Sequence, residues 1–382
     1  MIDPVRLAES LVRIQSVSGD EANLARELSN VLRTFCEIEQ GPCGTVVGRI
    51  RSGDGPTLLL EGHMDTVPVG DADAWTRPPD GRVEDGVLWG RGAVDMKGAI
   101  AAQLAGAETA SGAIRGTLLL VYVGHEETAE GVALGEALDT LPRPDLVILG
   151  EPTDLALALG HRGRTVLRLQ ARGAPAHASM PELGENAVTQ LMGLLAQVME
   201  RPLPADPVLG PASLTPVAVG GGAAAPIVPD AAWALLDRRV VRGETVESVL
   251  SLYDGLPLSV EQTELSFHTG EARCGQQFFP AWWMSPKNTW AVQAREALDR
   301  PPYRAWRFST DGVESCGRRG IPTVGFGPGD ERAAHRVDEG VPTMAVSQAA
   351  EGYRRLLLSL MGPQAPPRSP ARRPGGRREC GT

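Results

Sequence analysis

Residues 57–65 read TLLLEGHMD, an apolar run that ends in a histidine and an aspartate two positions apart. A short Leu-rich run of this kind reads as a buried strand. The i, i+2 spacing sends His63 and Asp65 to the same side of the extended chain at the strand's carboxyl end, where one can ligate a metal while the other orients it. The pattern recurs along the chain. TLLLVYVGHEE at 117–127 ends on Glu126 and Glu127, and DLVILGEPT at 145–153 ends on Glu151. IPTVGFGPG at 321–329 is a fourth run, followed across a Gly- and Pro-rich loop by His335. Between the first two runs, GRGAVDMKG carries Asp95 into the Ala-rich helix candidate MKGAIAAQLAGAETA at 96–110. Such alternation predicts an α/β sheet covered by helices.

Each motif has a bland reading when taken singly: a surface turn for His63 and Asp65, a helix cap for Asp95, two solvated charges for Glu126 and Glu127. Taken together they point elsewhere. Ligand groups in open α/β sheets gather beyond the carboxyl ends of the strands, which is where this sequence places His63, Asp95, Glu126, Glu127, Glu151 and His335. Adjacent glutamates in extended chain face opposite sides, so one can bind metal while the other removes a proton from metal-bound water. Two histidines and three carboxylates form a nitrogen and oxygen donor set suited to zinc, with cobalt or manganese as substitutes. Five ligands for two divalent ions require one bridging carboxylate, and such a pair acidifies water and polarises a scissile carbonyl.

The first α/β segment runs over residues 1–164. A smaller α+β unit is expected over 165–275, opened by the period-two strand TVLRLQARG at 165–173 and the helix ENAVTQLMGLLAQVME at 185–200. It continues through the flexible-looking VGGGAAAPIVPD at 219–230, the strand AAWALLDRRVV at 231–241 and a helix around ETVESVLSLYDGL. The α/β domain resumes over 276–361 with the helix NTWAVQAREAL, which makes it discontinuous. Residues 362–382, rich in Pro, Gly and Arg, read as a disordered tail. Trp282, Trp283 and Trp290 read as packing residues, and His125 and His161 as locally hydrogen-bonded.

The bulk composition narrows the partners. With 382 residues, 42% of them hydrophobic, the chain can bury real cores, and 47 acidic against 37 basic residues argue against a nucleic-acid or anionic-membrane surface. No apolar run approaches the roughly 18 residues of a membrane span, and the N-terminus has no signal-peptide pattern. The five cysteines are odd in number and scattered, without metal or disulfide spacing. A soluble, cytoplasmic protein acting on small molecules is the expectation.

The motifs GHMDTVP at 62–68, GRGAVDMKG at 90–98, Glu126–Glu127, GEPT at 150–153, HASMPELGENA at 177–187, and STDG with GFGPG and His335 together resemble one family. It is the zinc-dependent aminoacylase, acetylornithine deacetylase and succinyl-diaminopimelate desuccinylase group of metallopeptidases. The resemblance extends to about residue 360. It implies a discontinuous dimetal catalytic domain, built on a mixed sheet flanked by helices, with an inserted α+β dimerisation or lid domain. Carried over, it makes His63, Asp95, Glu127, Glu151 and His335 the metal ligands, with Asp95 bridging two divalent ions per chain, and Glu126 the general base. Asp65 would hold His63 through its other ring nitrogen. His177 would reach the metal site of a second subunit in a homodimer to assist the oxyanion. Arg239 in LDRR matches an arginine that recognises substrate carboxylates, and Thr310, Asp311 and Gly312 of STDG are the remaining substrate contacts. The implied reaction is hydrolysis of an amide bond in a small N-acyl amino acid or dipeptide; the alternative is a small-ligand-binding homologue that has lost turnover. Within the family, GHRGR, LDRR and GRRGIPTVGFGPG look closest to a branch of hydrolases linked to selenium metabolism. Pro226 stands where many relatives carry asparagine.

Overall fold

In the computed structural model, residues 1–222, 225–269 and 272–363 are described. Its larger sheet has nine strands. The order across it is Glu37–Gln40, Val46–Ser52, Gly116–Val123, Thr57–His63, Leu146–Leu149, Thr323–Gly325, Leu157–His161 and Trp282–Trp283, with Tyr303–Trp306 also paired to Leu157–His161. The four strands from Gly116–Val123 to Thr323–Gly325 are mutually parallel, whereas both flanks add antiparallel pairs. Every residue of Thr57–His63 is buried. That is why its sequence is a continuous apolar run without alternation: a central parallel strand has helices on both faces and no solvent side.

Helix Gly98–Ala110 is buried nearly all round, and it packs against helix Thr343–Met361, which carries buried Val346, Tyr353, Leu356 and Leu360. The two backbones approach closely at Gly106, where a Cβ would lie 2.7 Å from the Ala350 carbonyl oxygen. The helix begins at Gly98. Ahead of it, Ala93–Lys97 forms an irregular wide turn in which Asp95 (φ -123°, ψ 90°) leaves helical geometry.

The smaller sheet is antiparallel, in the order Ser213–Gly221, Ala231–Val240, Gly163–Arg172, Ser259–Thr263. Burial along Ala231–Val240 alternates residue by residue, as expected for a sheet with one face on a core. Leu167, Leu169, Ala234 and Leu236 share that second core with Leu191 and Val198 of helix Ala187–Met199. Arg238 occupies an inward position in it, where Glu244 pairs with its guanidinium. The two sheets are joined where Gly163 and Arg164 cross residues 279–281. Phe267, on the hairpin Leu265–Thr269 and Ala272–Gln276, packs into the larger core.

Some local expectations need revision. The helix expected around ETVESVLSLYDGL is only Val246–Leu250 followed by a single tight turn, Ser251–Tyr253, because Gly255 and Pro257 stop it. The stretch 219–230 is strand as far as Gly221 and has a cis bond before Pro226. The Pro- and Arg-rich tail, from residue 364 on, lies outside the described residues. Among the described residues no helix is long and apolar enough to cross a membrane.

Candidate metal centre

The carboxyl ends of the four parallel strands converge. His63 is the last residue of its strand and fully buried. Its Nε2 lies 2.9 Å from Asp95 Oδ1 and 3.8 Å from Glu151 Oε1. The second carboxylate oxygen of Asp95 lies 3.2 Å from His335 Nε2, which is also 2.8 Å from Glu127 Oε1. Asp95 thus stands between two nitrogen-and-carboxylate groups and offers one oxygen to each. His335, at φ 62°, leaves its imidazole half-exposed on the open side of the cleft.

Glu126 and Glu127 do not occupy the strand end itself. Strand Gly116–Val123 stops earlier, and His125 turns the chain at φ 63°. Their divergence therefore comes from a turn and not from strand alternation. Asp65 fixes that turn: its carboxylate accepts the N–H groups of Glu126 (3.0 Å) and Glu127 (3.1 Å) and the Ser18 hydroxyl (2.7 Å). The role expected for Asp65 is met differently from the expectation. His63 Nδ1 faces the Asp65 main-chain carbonyl at 2.9 Å, whereas the nearer carboxylate oxygen stands at 3.7 Å. The carboxylate is already committed to two backbone donors, so the carbonyl takes the ring.

The electrostatics are those of carboxylates crowded out of water. Burial pushes the Glu126 carboxyl well above its ordinary range, with His63 opposing and Glu151, Asp311 and Glu127 adding to the rise. Glu151 is raised by burial and by Asp95. Burial acts on Asp95 in the same sense, but hydrogen bonds from His335 and His63 hold it below the carboxylate range. His335 is pushed up to about 10 by its hydrogen bonds to Asp95 and Glu127. Among the described residues, the buried Glu151 Oε2 has no hydrogen-bond partner.

Two groups of side chains can each place three ligand atoms within 4.8 Å of one another: His63, Asp95 and Glu127, and His63, Glu126 and Glu151. The donor chemistry fits divalent cations, for a buried carboxylate oxygen left without a partner is otherwise costly, and the nitrogen and oxygen donors around it are those such ions take. The second group includes Glu126, so the geometry by itself does not separate base from ligand.

Of the remaining expected residues, Asp311 is near enough to the centre to act on Glu126 and Glu151. Thr310 is buried, its N–H donating to His161 Nε2 at 3.1 Å and its hydroxyl accepting the Gly312 N–H. Asp311 accepts the Gly131 N–H, and burial raises its carboxyl to about 6. Arg239 is held by both oxygens of Asp237. His177 is exposed, and its Nδ1 accepts from the Ser179 N–H and hydroxyl. No hydrogen bond or ion pair among the described residues links it to the centre. Trp282 and Trp290 are core residues. His125 stacks on Phe267 with ring centroids 4.1 Å apart. Sequence reasoning missed Ser18 and Glu339, both tied to this site; the only available signal was the position of Glu339 four residues after His335.

Residues 59–359 match the model of "Peptidase family M20/M25/M40". The chain is 31% identical over 381 residues to the uncharacterized protein YgeY of Escherichia coli, covering 94% of each. It is 32% identical over 369 residues to a putative succinyl-diaminopimelate desuccinylase of Mycobacterium tuberculosis, covering 93% of this chain and 98% of that one. Its fold is shared with the M20 family metallo-carboxypeptidase Sso-CP2 of Sulfolobus solfataricus, at a TM-score of 0.76 and 17% identity, over 94% of this chain and 99% of that one. The α/β fold, the convergent ligand set and these matches agree: the chain belongs to peptidase family M20/M25/M40 and is a hydrolase of the metallopeptidase class.

Proposed function

We propose that this protein hydrolyses the amide bond of a small N-acyl amino acid or short peptide at a centre holding two divalent cations bridged by Asp95. The observation that carries the reading is the presentation of one Asp95 oxygen to each of two histidines, 2.9 and 3.2 Å away. His63 and Glu151 would hold one ion, and His335 and Glu127 the other; the mixed nitrogen and oxygen donors suit zinc. Bound there, the ions would polarise the scissile carbonyl and acidify the attacking water.

Glu126 would take the proton from that water and hand it to the departing amine. Its raised affinity for protons favours the first half of that task, and the Asp65 carboxylate keeps its backbone in place. Arg239 would meet a substrate carboxylate, although Asp237 already shares its guanidinium. Thr310, Asp311 and Gly312 would frame the acyl side. His177, with Nδ1 occupied by Ser179, offers its other ring nitrogen outward. Across a homodimer it would support the developing oxyanion. Exposed Met192, Val217 and Val219, on helix Ala187–Met199 and edge strand Ser213–Gly221, support such a pairing of smaller sheets. The relatives named desuccinylase and carboxypeptidase support the substrate class. Pro226 removes the amide of the family's usual asparagine and argues against the relatives' own substrates.

The test is release of free amine from a panel of N-acyl amino acids and dipeptides by protein loaded with Zn²⁺, Co²⁺ or Mn²⁺. Turnover of at least one such amide, abolished by chelator and restored by metal, is expected. Stable metal binding without turnover of any member would overturn the reading in favour of a ligand-binding homologue.

A further inference from the structure

The turn that carries Asp95 is buried and irregular. Asp95 and Met96 depart from helical geometry, and the N–H groups of Gly92, Val94 and Asp95 find their acceptor outside the turn. A single side chain from the far end of the chain takes them. Glu339 is completely buried, and its Oε1 accepts the N–H groups of Gly92 (3.0 Å), Val94 (2.9 Å) and Asp95 (3.2 Å). Its other oxygen pairs with the Arg91 guanidinium, which lies over the Trp75 ring at 5.3 Å. The Glu339 main-chain carbonyl accepts the Gly90 N–H at 2.9 Å. Glu339 thus anchors Gly90, Arg91, Gly92, Val94 and Asp95, to which the Pro79 carbonyl adds one bond from the Arg91 N–H.

The same segment also carries a candidate ligand. His335 lies four residues before Glu339, and between them Asp338 accepts the Thr76 and Arg77 N–H groups at 2.8 and 2.9 Å. One short stretch of chain therefore delivers an imidazole to one oxygen of Asp95 and fixes the backbone from which that carboxylate projects.

We propose that Glu339 is a positioning residue that sets the direction of the Asp95 carboxylate and, through it, the affinity of both cation sites. A carboxylate buried with a guanidinium and three amide donors is costly to assemble and rigid once assembled. Residues that orient a ligand from behind typically change metal affinity about 10- to 100-fold when altered. Because Asp95 faces both histidines, a shift in its backbone moves the two sites together. Asp338 acts on residues 76–77 and leaves the bridge untouched.

The inference rests on the two-cation reading. To test it, full-length protein is stripped with chelator, titrated with Zn²⁺ against a chromophoric competitor, and separately loaded with Co²⁺ for visible spectroscopy. Glu339→Gln should weaken both ions about 10- to 100-fold and shift the cobalt bands, whereas Asp338→Asn should bind as the unaltered protein does. Unaltered affinities and bands in Glu339→Gln, whatever its melting temperature, would overturn the positioning role, as would equal losses in Asp338→Asn. Should Glu339→Gln not fold, Arg91→Lys keeps the charge but withdraws the guanidinium nitrogen that pairs with Glu339; it should weaken binding in the same direction, and wild-type affinity there would also overturn the proposal. Failure of the unaltered protein to take up two ions would instead sink the two-cation reading itself.

Discussion

The main-chain N–H of Glu126 donates to the Asp65 carboxylate at 3.0 Å, so the residue whose carbonyl steadies His63 also fixes the backbone of the proposed base. Asp65→Ala should therefore act on two functions at once. The carbonyl that faces His63 is kept, but metal affinity should fall about 10- to 100-fold because the Glu127 N–H, behind a proposed ligand, loses its acceptor, and kcat should fall further as the Glu126 N–H loses the same carboxylate. Equilibrium dialysis and steady-state kinetics separate the two effects; a variant with lowered affinity but unchanged kcat when saturated with metal would show that the turn holds itself.

Glu126→Gln should reduce kcat by about 10²- to 10⁴-fold, the usual contribution of a positioned general base, with metal content unchanged. Glu127→Gln should lower metal content. Elemental analysis alongside turnover decides the assignment, and the opposite pattern would reverse the roles of the neighbours, which the geometry leaves open because Glu126 also falls within reach of His63 and Glu151.

His177→Ala and Glu126→Gln chains, each nearly inactive alone, should regain activity when mixed under conditions of subunit exchange. In the mixed dimer, one site has both an intact Glu126 and the partner's intact imidazole. At most one site in each heterodimer can recover. Verified heterodimers without recovery would exclude action across subunits.

His161 gives a pH dependence unconnected with metal. It is fully buried; its Nδ1 faces the Arg162 carbonyl at 2.8 Å, and its Nε2 accepts from Trp282 Nε1 and the Thr310 N–H. Two donors on Nε2 require the neutral ring with its proton on Nδ1. Burial accordingly lowers its pKa from 6.5 to about 4. Since the unfolded chain binds the proton first, stability is full above about pH 6.5 and declines as pH falls towards 4. Over that window the loss is about 3 kcal/mol. Chemical denaturation at a series of pH values should show this slope in the unaltered protein and a shallower one in His161→Gln. Parallel slopes would mean that His161 does not titrate in this way.

Careful loading should bring the protein to two metal ions per chain, and Asp95→Asn should weaken both, since its two oxygens face different histidines. Elemental analysis and competitive titration check this. Loss of one ion with the other held at full affinity would show that Asp95 does not bridge.

The sequence by itself determined which segments end in candidate ligands. Unbroken apolar runs such as TLLL and LVIL, each short and bounded by turn signals, read as strands buried on both faces, and the polar groups just beyond them fall at one edge of a parallel sheet. The period-two character of TVLRLQARG likewise marked a strand with one covered face. These signals are local, so they survive in one dimension. Only the tertiary structure decided that Gly116–Val123 lies between Val46–Ser52 and Thr57–His63, that a turn and not a strand separates Glu126 from Glu127, and that Asp65 gives His63 its carbonyl while its carboxylate takes two backbone donors. The anchoring of Asp95 by Glu339 spans 244 residues. A hydrogen bond between a side chain and a distant backbone amide imposes no periodicity and selects no residue type at the amide, so nothing in the sequence around Asp95 could announce it.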